Sequence, residues 1–253
     1  MYMNFDTLHT FLEAKERNSL LDTVDYLNTK QKVLLLTTSD RWEKHDETPK
    51  STLLAYYIAD KLGKDKATVI QVPYLKIYNC EGNISSYNGN NCGVKESELK
   101  SSIKNPTGAL RCWASYNNTD DELYKIANPL FEADTVMFFG SVRWGQMNAY
   151  YQKLIERLSW LENRHSTLKE ENIIKDKDAG IIVTGQNWNG KLVVETQKQV
   201  LKFFGFKVQD SLCWNWQYTQ NSYDETQKSY KLAPLKFGET FKVDPTEYIE
   251  PKK

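Results

Sequence analysis

Three short stretches of the 253-residue chain concentrate side chains able to hold a ligand. In the first, TTSDRWEKHDETPKST, the residues Ser39, Arg41, Lys50, Ser51 and Thr52 bring hydroxyls and cations together just ahead of a helical pattern. An anion such as a phosphate suits that setting, because a helix N-terminus offers unpaired N–H groups and a partial positive charge. The run Lys50-Ser51-Thr52 lacks the glycines of a Walker A loop, which argues against a nucleoside-triphosphatase. The plainer alternative is helix capping by Ser51 or Thr52.

The second stretch, SVRWGQMN, stands between an apolar run and a strongly patterned helix. A planar ring needs backbone donors and acceptors along its edge and an apolar or aromatic face for stacking. Val142 and Trp144 offer walls, Arg143 a cation, and Trp144, Gly145, Gln146, Met147 and Asn148 a row of N–H groups. A glycine-containing turn with an Asn148 helix cap explains the same residues equally well. The third stretch, TGQNWNGK, has glycines that let backbone approach a ligand, with Gly185, Gln186, Asn187 and Trp188 as its contacts; Asn189 is placed to cap the next helix. No Ser–His–Asp or Cys–His set is legible, and of the three histidines only His45 falls in one of these stretches.

Alternating elements position these stretches. KVLLLTT reads as a strand buried on both faces, and ATVIQVP, TVMFFG, AGIIVTG and FKVQDSLCW as four further strands. Between them, TLLAYYIADKL carries Leu54, Ile58 and Leu62 on one face, and DDELYKIANPLFEA aligns Leu123, Ile126, Ala127 and Leu130, with Pro129 set to kink its last turn. The helix after the second stretch places Tyr151, Leu154, Ile155 and Leu158 on one stripe with Met147. LVVETQKQVLKFFG does the same with Val193, Val194, Gln197, Val200, Leu201 and Phe204. Strand–helix alternation implies right-handed crossovers and a parallel sheet covered on both sides. Five such strands predict a flavodoxin-like, doubly wound α/β sheet of order 2-1-3-4-5, whose ligands bind beyond the carboxyl ends of its strands. The three stretches follow the first, third and fourth strands. The chain is read as a single domain with its core over about 32–214, a helical extension at 1–30 and a C-terminal extension at 216–253.

Composition narrows the partners. Lys plus Arg and Asp plus Glu balance at 33 each, so no net field recruits nucleic acid or an anionic membrane. The N-terminal residues lack the apolar region of a secretory signal, and no apolar run reaches the ~20 residues of a membrane span, so a cytoplasmic location is expected. Four cysteines, Cys80, Cys92, Cys112 and Cys213, are widely spaced, which predicts neither a disulfide framework nor a zinc or iron–sulfur site.

The chain resembles the NAD(P)H-dependent FMN reductase branch of the flavodoxin-like superfamily, including relatives of the iron–sulfur flavoproteins, over about Lys32 to Trp214. TSDR…KSTLLA is similar to that family's Gly-Ser-Pro-Arg phosphate loop, with Ser39, Arg41, Ser51 and Thr52 on matching positions. DDELYKIANPLFEADTVMFFGSVRWGQMNAYYQKLIERL is similar to its acidic pair, helix, strand and Ser-Pro-x-Tyr-Trp-Gly loop. Val142 stands where the family has proline, the loop is one residue shorter, and the family's compact cysteine cluster is spread over Cys80, Cys92 and Cys112, with Ser85 near one expected position. Residues 82–108 form a long insertion, as a lid or a dimer contact would. The resemblance implies bound FMN, NADPH or NADH as hydride donor, a quinone, nitro compound or other small acceptor, and a homodimer or higher oligomer. A flavodoxin-like electron carrier or redox-sensing module is the alternative. A phosphorelay receiver needs acidic residues where this chain has Thr37, Thr38 and Gly140, and is set aside.

Overall fold

A computed structural model describes residues 14–40, 48–82, 85–86, 89–90, 92–94, 100–185 and 189–217. Five strands, β1 (Val33–Thr37), β2 (Ala67–Gln71), β3 (Thr135–Arg143), β4 (Asp178–Gly185) and β5 (Lys207–Gln217), form one parallel sheet in the order β2-β1-β3-β4-β5. β1 is central. It pairs with β2 from Val33↔Ala67 to Thr37↔Gln71 and with β3 from Val33↔Thr135 to Thr37↔Phe139. The outermost strand keeps its parallel register with β4 except for a shift between Ala179 and Ile181.

The strand period of two sends successive residues to opposite faces, and two cores result. Leu34, Leu36, Val136, Phe138, Ile181 and Val183 meet α3 (Tyr124–Glu132), α4 (Ala149–Ser166) and α5 (Gly190–Phe204). Val33, Leu35, Met137, Phe139, Ile182 and Leu212 meet α1 (Ala14–Asn28) and α2 (Lys50–Leu62). The helical registers expected from sequence hold: Leu123, Ile126, Ala127, Leu130, Tyr151, Leu154, Leu158, Val193, Val194, Gln197, Leu201 and Phe204 are buried, while Ile155 and Val200 pack against the same core only partly buried. Pro129 stands inside α3. None of the described helices is long and apolar enough to cross a membrane.

The N-terminal helix proves integral to the second face. Leu20, Val24 and Leu27 recur at helical spacing and are buried against it. Its end is fastened by Asp178 at the start of β4, which takes Lys30 Nζ at 2.6 Å, the Tyr26 hydroxyl at 2.8 Å and Gln209 Nε2 at 2.8 Å.

Between β2 and α3 the chain makes a long excursion, whose described residues hold short helical turns at Val72–Tyr74 and Trp113–Asn117 and an antiparallel pairing of Ser85–Ser86 with Gly89–Asn90. A buried ion pair ties it down. Arg157 of α4 donates to both carboxylate oxygens of Asp121, at 2.8 and 2.9 Å, and also to the Tyr78 carbonyl, the Ser115 hydroxyl and the Cys112 sulfur. Asp121 further accepts the N–H groups of Tyr78 and Leu123 and the Ser115 hydroxyl. Every polar group is satisfied, the condition under which a buried pair is tolerated. Burial pushes the Asp121 carboxyl up, but the hydrogen bonds and charge of Arg157 outweigh it and hold the group below its ordinary value. Nearby, burial and the neighbouring Cys112 and Cys80 push the Cys92 thiol up to about 12.

Candidate functional site at the carboxyl ends of β1, β3 and β4

The first sequence stretch leaves β1 through Thr38 and Ser39 and re-enters regular structure at α2. Pro49 occupies the cap position and makes no side-chain cap, so Ser51 and Thr52 lie within the first turn and do not serve as its N-cap. A helix start uncapped by side chains retains N–H groups for another partner. Both hydroxyl residues are fully buried, and Ser51 Oγ donates to Ser39 Oγ at 2.7 Å. The hydroxyls of Thr37 and Thr52, at the two ends of this connection, find no partner among the described residues. Each orphaned buried hydroxyl costs about 1–3 kcal/mol. Lys50 stands at the first helical position. Arg41 and His45 lie outside the described residues.

The second stretch differs from the expected loop. β3 runs on through Ser141 and Val142 to Arg143 and folds back on the two-residue strand Gln146–Met147, pairing Val142↔Met147 and Arg143↔Gln146. Trp144 and Gly145 make the turn at φ 50° and 70°, as a two-residue type I′ hairpin requires. The pleat then sorts the side chains. Val142 and Met147 are buried in the core, while Arg143, Trp144 and Gln146 are exposed, so Val142 offers no open wall for a ligand.

Asn148 holds the base of the hairpin. Its Oδ1 caps α4 by accepting the Tyr151 N–H at 3.1 Å, and its Nδ2 reaches Thr38 Oγ1 at 3.2 Å and Ser141 Oγ at 3.4 Å. Thr38 in turn donates to the Phe139 carbonyl at 2.9 Å. The packing admits no side chain at Gly140, where a Cβ would fall 2.4 Å from Met147 Cε and 2.9 Å from Thr38 Oγ1.

In the third stretch Gly185 packs on Val142, and Asn189 precedes α5 in a left-handed conformation at φ 76°. Asn189 makes no side-chain cap. Its Nδ2 instead donates to the Gly145 carbonyl at 2.8 Å, joining this stretch to the hairpin tip. Gln186, Asn187 and Trp188 lie outside the described residues.

The fold thus gathers the described parts of all three stretches on one edge of the sheet. Sequence reasoning missed Thr37, Thr38 and Gly140, which it weighed only as absent acids, and the bridging role of Asn189. A left-handed Asn ahead of glycine was the available signal for the last. Asp40 and Tyr150 complete the rim: burial and the adjacent Asp40 carboxylate push the Tyr150 hydroxyl up from its ordinary value.

No protein-family model and no curated protein matches the chain. Among solved structures, RosB with bound 8-demethyl-8-formylriboflavin-5′-phosphate is similar over 85% of this chain and 75% of its own, at 13% identity and a TM-score of 0.51. The azoreductase AzrA matches at 12% identity over 83% of this chain and 98% of its own, with a TM-score of 0.45. At these identities likeness concerns the fold, and the RosB match agrees with the flavodoxin-like doubly wound sheet described above.

Proposed function

We propose that the protein is an FMN-dependent oxidoreductase that uses NADPH or NADH to reduce a small acceptor such as a quinone or nitro compound. The observation that carries this reading is the start of α2, where Pro49 makes no side-chain cap, with its Ser39–Ser51 hydroxyl pair and the hydroxyls of Thr37 and Thr52, which find no partner among the described residues. These are donors suited to a phosphate, and they sit beside the hairpin at the carboxyl ends of the neighbouring strands β1 and β3. The bound flavin phosphate in RosB, a chain of similar fold, is in keeping with it.

Ser39, Ser51 and Thr52 would hold the phosphate by their hydroxyls, with the charges of Lys50 and Arg41. Backbone groups of residues 142–148 would border the isoalloxazine, with Gly185, Gln186, Asn187 and Trp188 across from them. Asn148 and Asn189 fix the hairpin, so its N–H and C=O groups are set before a ligand arrives. The redox chemistry belongs to the cofactor: with a quinone, NAD(P)H and one proton give NAD(P)+ and the hydroquinone. The same reading takes the protein as a cytoplasmic homodimer or higher oligomer, with neither nucleic acid nor membrane as partner. Anaerobic titration of the purified chain with FMN and then NADPH tests it; protein that takes up no FMN would sink the proposal.

A further inference from the structure

Two side chains at the hairpin tip are unexplained by flavin binding through backbone groups. Trp144 is 86% exposed and sits at positive φ. That conformation is unfavourable for a bulky side chain, and asparagine or glycine would fill the position without strain. The turn is nevertheless held in place by the Asn189 contact to Gly145 and the Val142↔Met147 pairing beneath it. A strained residue kept in place by its surroundings is a mark of function. What the strain secures here is an indole projected beyond the site.

Arg143 immediately precedes it and is exposed. Among the arginines whose side chains are described, Arg111, Arg157 and Arg164 each hold a carboxylate, and Arg143 holds none among the described residues. Asp40, on the same rim, is engaged by Tyr150. The rim therefore presents an uncommitted guanidinium beside an uncommitted aromatic face.

Resting on the flavin-reductase reading, we propose that the acceptor is a planar aromatic anion, a quinone or nitroarene that carries a carboxylate or sulfonate and takes the two electrons on its quinone carbonyls or nitro group. Its ring stacks on Trp144 and its charged group is met by Arg143. Guanidinium can donate at once to two oxygens of a carboxylate or of a sulfonate, and indole gives the ring a flat apolar face.

A redox-inert pair separates this from the flavin question. Binding of naphthalene-2-sulfonate and of the neutral naphthalene-2-sulfonamide to the FMN-titrated full chain is measured by calorimetry. The sulfonate should bind about tenfold more tightly, as expected for a charge-assisted contact. Arg143→Gln should bring the ratio near one and Arg143→Lys should retain part of it, whereas Trp144→Ala should weaken both ligands together. No sulfonate preference in the unaltered protein, or a preference that survives Arg143→Gln, overturns the proposal. FMN uptake, recorded in the same preparation, reports independently on the flavin reading.

Discussion

Position 144 sets stability against use. A left-handed backbone costs an ordinary residue about 1–2 kcal/mol, and asparagine tolerates it best after glycine. Trp144→Asn should therefore raise unfolding stability by about 1 kcal/mol in urea titrations while weakening aromatic ligands. A loss of stability would mean that the indole packs where the structure shows it exposed. The orphaned Thr52 hydroxyl supplies a second residue-scale test. Replacing a buried, unpartnered hydroxyl by a methyl should be neutral or stabilising in the FMN-free protein. Thr52→Val should thus leave the melting temperature unchanged or higher, yet weaken FMN binding about tenfold if that hydroxyl meets the phosphate. The residue types of the site were legible in sequence, but their duties were less so. Ser51 and Thr52 read as caps as easily as ligands until Pro49 proved to hold the cap position. The hairpin was hidden because its return strand is only Gln146–Met147 and Trp-Gly is not the usual type I′ pair.

Among the elements, the excursion from Val72 to Leu123 depends on the Asp121–Arg157 pair. Removing one partner of a buried pair strands the other charge, so Asp121→Ala should cost about 3–5 kcal/mol. Replacing both residues with apolar ones should cost less than the single change, as a double-mutant cycle would read. The pH dependence has a definite sign. Asp121 has a folded-state value below its unfolded one, so its contribution is full above the unfolded carboxylate value of about 4 and is lost as pH falls through the lower folded value. Acid unfolding curves of the wild type should therefore be steeper below about pH 4 than those of Asp121→Ala. Nothing in the sequence announced the pair. Asp121 was visible only as half of an acidic doublet, and its partner lies beyond a helix and a strand with no periodic pattern linking the two.

For the whole molecule, most of the architecture was legible, because strands buried on both faces read as continuous apolar runs and the helices keep their 3.6-residue stripes. The five strands, their order and the inward helix faces follow from those patterns. The place of α1 did not, since periodicity says that a helix has a buried side without saying which surface covers it. Its contact with the sheet places Leu27 fully inside. Leu27→Ala should consequently lower stability by about 2–5 kcal/mol, as for a core leucine. A surface-sized change below about 0.5 kcal/mol would show the helix to be dispensable.

The central claim is that the edge of the sheet beyond β1, β3 and β4 holds FMN and that a nicotinamide nucleotide reduces it there. Adding FMN to the purified full chain under anaerobic conditions, followed by NADPH or NADH, tests this in one visible absorption experiment. Stoichiometric uptake with a perturbed flavin spectrum is expected, then bleaching by nucleotide and recovery when a quinone is added. A chain that leaves free FMN unchanged in spectrum and fully removable by desalting would contradict it.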